Sequence, residues 1–163
     1  LDQRDNRRAV ARLAAGRRVL DAFCYTGGFG LHAARDGARE VLGIDVSEPA
    51  LALARENARL NGLDNLTFQR EDVFAALDRL LSEGERFDLV VLDPPKFARA
   101  RNAVEEALRG YRRLQALALR LLNADGILVT DPNGVIRGYN HRFADSHLPT
   151  IERVGNIVWQ CAR

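Results

Sequence analysis

The feature that most constrains the fold is a rhythm. Short apolar runs alternate with amphipathic stretches, and only a few residues separate them. Val41-Leu42-Gly43-Ile44 and Leu89-Val90-Val91-Leu92 are two such runs, long enough for strands and too short for buried helices. The stretches between them carry helical spacing and helix punctuation. Ser47 stands before Glu48-Pro49, a side-chain cap followed by proline in the first turn. Asp72 holds a similar place before Val73, and Gly37 and Asn61-Gly62 supply stops. The pattern predicts helices over residues 4–15, 28–36, 48–60, 73–82 and 104–122. It predicts strands over residues 18–23, 40–45, 66–70, 87–92 and 126–130, with another at 156–161.

Strands that alternate with helices through short loops build right-handed βαβ units and a parallel sheet. The strands are apolar on both faces, as a sheet covered by helices requires. The expected fold is therefore α/β, a doubly wound and mostly parallel sheet of about six strands flanked by helices. The 163 residues suffice for one domain with a real core. Residues 1–17 form its helical N-terminal segment, 18–130 its core and 131–163 a separate terminal segment.

Several classes are set aside. No apolar run approaches the roughly 18–20 residues that span a bilayer. The charged start is not followed by the apolar stretch of a signal peptide. A cytoplasmic chain with no membrane partner is expected. Cys24 and Cys161 make no disulfide framework, and His32, His141 and His147 show no ligand spacing, so no metal is expected. Residue 1 is leucine and methionine is absent, which suggests a piece of a longer protein. Net charge is only +2, yet residues 1–20 and 98–120 each hold six arginines against two acids. Two such faces suit nucleic acid, and they suit solvated helices equally.

Ligands of doubly wound sheets bind beyond the carboxyl ends of the strands. The first strand runs into Asp21-Ala22-Phe23-Cys24-Tyr25-Thr26-Gly27-Gly28-Phe29-Gly30. Its glycines let backbone approach a ligand, and a helix N-terminus opens there. Gly28-Phe29-Gly30-Leu31-His32-Ala33 matches the dinucleotide pattern, so NAD and S-adenosylmethionine both remain open at this point. Asp45 ends the second strand, where an acid takes ribose hydroxyls in either case. Asp72 follows the third strand and suits an adenine amino group, a helix cap, or both. The fourth strand ends in Asp93-Pro94-Pro95-Lys96-Phe97. Two prolines after an acid fix an extended loop that can hold a planar base. A dehydrogenase has no evident need for it, which favours S-adenosylmethionine.

On these residues the chain resembles the bacterial large-subunit ribosomal RNA cytosine-C5 methyltransferases that carry an N-terminal PUA RNA-binding domain. The matching pieces are LDQRDNR, FCYTGGFG, IDVSEPAL, REDVF, FDLVVLDPPKF and RGYRRLQALALRLLNADGILVT, nearly continuous over residues 1–130. The resemblance implies a Rossmann-like class I methyltransferase fold with S-adenosylmethionine across its carboxyl edge, S-adenosylhomocysteine as product and ribosomal RNA as partner. It implies that Asp21, Phe23, Tyr25, Thr26, Gly27 and Gly28 wrap the methionine part. Asp45 with Val46 would meet the ribose, and Asp72 with Val73 would flank the adenine. Asp93, Pro94 and Pro95 would face the target base, and Gln3 and Arg4 would close over the cofactor.

One piece of the family pattern is missing. C5 of cytosine needs a thiolate adding at C6 to become nucleophilic, and a base must later take the C5 proton. The family is expected to place that cysteine just after the fifth strand. Here the chain reads Thr130-Asp131-Pro132-Asn133-Gly134-Val135. Cys24 lies inside the cofactor loop and reads as a packing residue, as does Cys161. Three further readings stay open: a methyltransferase of exocyclic base nitrogens, a cofactor-binding fragment without full activity, and a nicotinamide-dependent dehydrogenase. Lys96 between Pro95 and Phe97 counts against the first of these.

Overall fold

A computed structural model describes residues 4–95, 104–130 and 137–140. Helix α1 (Arg4–Ala14) leads into β1 (Arg18–Ala22), α2 (Gly28–Arg35), β2 (Glu40–Asp45) and α3 (Glu48–Leu60). Then come β3 (Leu66–Arg70), α4 (Val73–Ser82), β4 (Phe87–Leu92), α5 (Val104–Arg120), β5 (Leu122–Thr130) and β6 (Arg137–Asn140). The strands form one sheet in the order β3-β2-β1-β4-β5-β6. The first five are parallel, and β6 runs antiparallel to β5.

The helix boundaries follow local chemistry. The Ser47 hydroxyl accepts from the Ala50 N–H and caps α3. The Asp72 carboxylate accepts from the Ala75 N–H at 3.1 Å and caps α4. Gly37, with φ of 94°, takes the left-handed turn that ends α2.

Alternate strand residues face opposite layers. Leu20, Ala22, Leu42, Ile44, Val90, Leu92 and Leu128 pack with Leu77 and Leu80 of α4 and Leu114, Leu117 and Ala118 of α5. Val19, Val41, Leu89, Val91 and Val129 pack with Val10 and Ala14 of α1, Phe29 and Ala33 of α2, and Ala58 of α3. This two-sided burial is the expected one. At the edge the expectation fails: in β3, the edge strand of the described sheet, only Leu66 is buried.

Other boundaries differ from the sequence reading, and α1 and α2 each stop one residue early, at Ala14 and Arg35. β1 stops at Ala22, because Phe23 turns into the left-handed region at φ 63°. α5 ends at Arg120, two residues early. β5 starts at Leu122, well before Gly126, through an irregular pairing between Phe87 and Leu89 of β4. There the Asn123 amide donates to Asp88 at 2.7 Å and holds the displaced backbone against β4. β6 went unpredicted, and the strand expected at 156–161 lies outside the described residues. Among the described residues no helix is long and apolar enough to cross a membrane.

Candidate functional site

The chain goes from β1 outward to β3, then crosses back to lay β4 on the other side of β1. Two neighbouring strands thereby send their following loops in opposite directions, and a crevice opens at their carboxyl ends. Backbone bonds stitch this edge together. The Cys24 N–H donates to Ile44 O at 3.1 Å, the Glu71 N–H to Asp45 O at 3.1 Å, and the Asp93 N–H to Ala22 O at 3.4 Å. All four strand ends singled out in the sequence are thus joined.

The loop from β1 to α2 has unusual backbone. Phe23 and Tyr25 both lie in the left-handed region, at φ 63° and 50°, and Gly27 adds φ 77°. Non-glycine residues pay about 1 kcal/mol or more for that region, so surrounding bonds must hold it. The Tyr25 N–H donates to Asp45 Oδ2 at 2.9 Å, and the Gly27 N–H to Cys24 O at 2.7 Å. A second bond to Asp45, from the Ser47 N–H to Oδ1 at 2.9 Å, fixes that carboxylate at the crevice. Tyr25 and Val46 project from the rim, 65% and 58% exposed, and Thr26 is half-buried beneath them. Apolar side chains left so open beside a buried acid suit a flat ligand.

Asp21 lies deepest, with no exposed surface. The Gly30 N–H donates to its Oδ2 at 2.8 Å, while Oδ1 has no hydrogen-bond partner. Burial pushes its carboxyl up to about 7, helped by Asp93 and Asp45, while the Gly30 bond and Arg7 pull the other way. The loop glycines are tightly used. A Cβ on Gly30 would stand 3.1 Å from Asp21 Oδ2, and one on Gly28 only 2.8 Å from Arg7 Nε. A Cβ on Gly27 would meet the Phe68 ring at 2.8 Å. Gly28-Phe29-Gly30 therefore serves local packing as well as any ligand.

Asp93 is half-buried, and burial raises its carboxyl above the usual range while Arg7 offsets part of the effect. Pro94 is buried and Pro95 exposed. The Tyr111 hydroxyl of α5 donates to Pro95 O at 3.4 Å, tying this loop to the helix. Asp72 is exposed on the same edge and Val73 is buried beneath it. Arg4 is exposed at the start of α1, whereas Gln3, Lys96, Phe97 and Cys161 lie outside the described residues. Cys24 is buried, and burial beside Asp21 and Asp45 pushes its thiol far above the ordinary range. Such a thiol stays protonated and is a poor nucleophile.

Arg7, Phe68 and Tyr111 belong to this region and were not singled out in the sequence as site residues. Arg7 sits one turn along α1 from Arg4, and that spacing was the only available signal.

These features fit S-adenosylmethionine. Asp21 Oδ1 is a buried acceptor without a donor, the Asp45 carboxylate is held at the carboxyl end of β2, and Tyr25 and Val46 leave apolar surface open at the rim. Sheet order and site together define a Rossmann-like class I methyltransferase fold. The model of the S-adenosylmethionine-dependent methyltransferase family matches residues 1–145, past the Thr130 at which the sequence resemblance stops. The chain belongs to this family, whose cofactor is S-adenosylmethionine. It is 52% identical over 132 residues to a ribosomal RNA large subunit methyltransferase I of Aeromonas hydrophila, and 53% identical to one from Tolumonas auensis. Each alignment covers 80% of this chain, and the chain spans about a third of the length of these curated relatives. Among solved structures, SMU.776, assigned as a methyltransferase and crystallised with S-adenosylhomocysteine, matches with a TM-score of 0.70 at 30% identity. That match covers 79% of this chain and 34% of the other.

Proposed function

We propose that this chain is the cofactor-binding core of a methyltransferase acting on large-subunit ribosomal RNA, with C5 of a cytosine as acceptor. The observation that carries the reading is Asp93-Pro94-Pro95 lying against the end of β1, tied to Ala22 by the Asp93 N–H. A base-holding loop thereby stands beside a cofactor loop. The ribosomal RNA specificity in the names of relatives about half identical supports the same substrate.

In this reading Asp21 and the loop Phe23, Tyr25, Thr26, Gly27 and Gly28 hold the methionine end. Asp45 and Val46 hold the ribose, and Asp72 and Val73 border the adenine. Asp93, Pro94 and Pro95 hold the target base, with Gln3 and Arg4 at the cofactor's outer side. The bound cofactor supplies an electrophilic methyl group. Arginines at the start of α1 and along α5 offer phosphate contacts on either side of this edge.

One observation favours a narrower reading, in which the chain binds cofactor and completes C5 transfer poorly or not at all. The sequence that follows β5 reads Thr130-Asp131-Pro132 with no cysteine, and burial holds the Cys24 thiol protonated. Both readings are tested by incubating the chain with ribosomal RNA and S-adenosylmethionine labelled in its methyl group, then analysing nucleosides. Labelled 5-methylcytidine establishes the first reading. Cofactor binding without transfer establishes the second, and label on an exocyclic nitrogen overturns the C5 assignment. Binding of NAD in preference to S-adenosylhomocysteine would sink both.

A further inference from the structure

One guanidinium with no place in the proposed site joins three separate pieces of chain. Arg79 lies near the end of α4. Its Nη2 donates to Glu71 Oε2 at 2.8 Å and to Gln69 Oε1 at 3.0 Å. Its Nε reaches both Glu71 oxygens at 3.3 Å, and its Nη1 donates to Glu83 Oε2 at 2.9 Å. Gln69 belongs to β3, Glu71 to the turn after it, and Glu83 to the cap that ends α4. Among the described residues the arginines of α2 and α3 form ion pairs only within their own helix or with its cap: Arg35 with Asp36, Arg55 with Glu48 and Arg59 with Glu56.

Helix stability is the simpler account. The pair of Arg79 and Glu83, four residues apart on α4, fits it. The bonds to Glu71 and Gln69 do not, since they leave the helix. Partly exposed ion pairs add little to stability, so a guanidinium that directs most of its donors off its own helix needs another reason.

That reason lies in what Glu71 adjoins. Its N–H donates to Asp45 O at 3.1 Å, which fastens the turn to the end of β2. Its side chain is fastened to α4 by Arg79. Asp72 follows directly. One of its oxygens, Oδ1, accepts the Ala75 N–H at 3.1 Å, and the other has no partner among the described residues. A carboxylate on an exposed turn selects a particular partner only if it is held in one place, and the planar fork of Arg79 does the holding.

We infer that Arg79 is a positioning residue: through Glu71 it fixes this turn so that the open oxygen of Asp72 selects an exocyclic amino group over a keto group on the ligand's purine. The inference rests on the reading of Asp72 as a border of the adenine. An ionised Asp72 offers only acceptors. Adenine meets it with an amino donor, whereas hypoxanthine meets it with a keto oxygen, and two acceptors then face each other. Without the fork the turn is held by its backbone bond alone. The carboxylate then swings clear of the keto group, and the preference is lost.

The test is titration calorimetry with S-adenosylhomocysteine and S-inosylhomocysteine, which differ only in that amino or keto group. Wild type should prefer S-adenosylhomocysteine about 10-fold, the discrimination of one charge-assisted hydrogen bond at an exposed site. Arg79→Met should bring the preference to within about twofold, mainly by weakening S-adenosylhomocysteine. Glu71→Met should do the same from the other partner. Arg79→Lys, which keeps the charge without the fork, should restore part of the preference. A melting curve of each variant reports folding separately. Equal weakening of both ligands would show that Arg79 only supports the fold and would overturn the inference, as would an unchanged preference. A wild type without preference would overturn the placing of adenine at Asp72, and the inference with it. If wild type bound neither ligand, the cofactor reading itself would fail, an outcome distinct from the other three.

Discussion

Asp21→Asn separates the stability of the empty domain from its affinity for cofactor. The carboxyl is fully buried, holds one hydrogen bond, and is pushed up to about 7 from an ordinary 3.8. A shift of that size is worth about 4 kcal/mol between the two protonation states. The folded-state value is the raised one, so the protonated form stabilises the fold. That contribution is complete below the unfolded value and is lost as pH rises through about 7. Asn cannot ionise, so the loss disappears in the variant. Between about pH 5 and about pH 8 the stability of wild type relative to Asp21→Asn should fall by about 2–3 kcal/mol, measured by urea unfolding without cofactor. In the proposed site the same change removes a carboxylate from the methionine end of the cofactor, so S-adenosylhomocysteine should bind about 10- to 100-fold more weakly. Its affinity for wild type should rise with pH up to about 7, because binding favours ionised Asp21. A stability gap that does not vary with pH would refute the buried, raised carboxyl. Unchanged affinity would refute its proposed place at the cofactor's methionine end.

Two further outcomes follow from the packing around the loop. Gly43→Ala would place a Cβ 2.6 Å from Phe68 Cδ1 and 3.2 Å from Cys24 Sγ. It should lower stability by about 1–3 kcal/mol in a thermal melt and weaken S-adenosylhomocysteine, because the same ring supports Gly27. Cys24→Ala should leave S-adenosylhomocysteine binding and any methyl transfer by the chain largely intact, measured with labelled cofactor. Loss of transfer with binding preserved would make Cys24 the nucleophile after all.

Much of the fold was legible because it is written locally. Glu40–Asp45, Glu48–Leu60, Leu66–Arg70, Val73–Ser82 and Phe87–Leu92 match their predicted bounds, each framed by a cap, a stop or a clean apolar run. The start of β5 was hidden because Asn123-Ala124-Asp125 looks like a turn, and the contact that makes it strand comes from Asp88, far away in sequence. β6 was hidden for the same reason, since Arg-Gly-Tyr-Asn carries little strand preference and gains its structure by pairing with β5. In the site, the acids at strand ends were readable from position alone. Arg7 was not, because one arginine on an arginine-rich helix looks like its neighbours until packing turns it onto Gly28. Nor does sequence announce that Phe23 and Tyr25 adopt left-handed backbone, a conformation their side chains oppose.

The Phe68 ring gives the two missing side chains at Gly27 and Gly43 a shared meaning. It fills the notch that both glycines leave, reaching from the exposed edge strand to the underside of the cofactor loop. A larger residue at Gly43 needs a smaller one in place of the ring, while at Gly27 the left-handed backbone opposes a side chain as well. The edge strand is the part of a sheet most open to fraying. Here its loosening would withdraw the floor of the cofactor loop, so heat or denaturant acting at the rim of the domain would be felt first as lost grip on the ligand, before the sheet itself gives way.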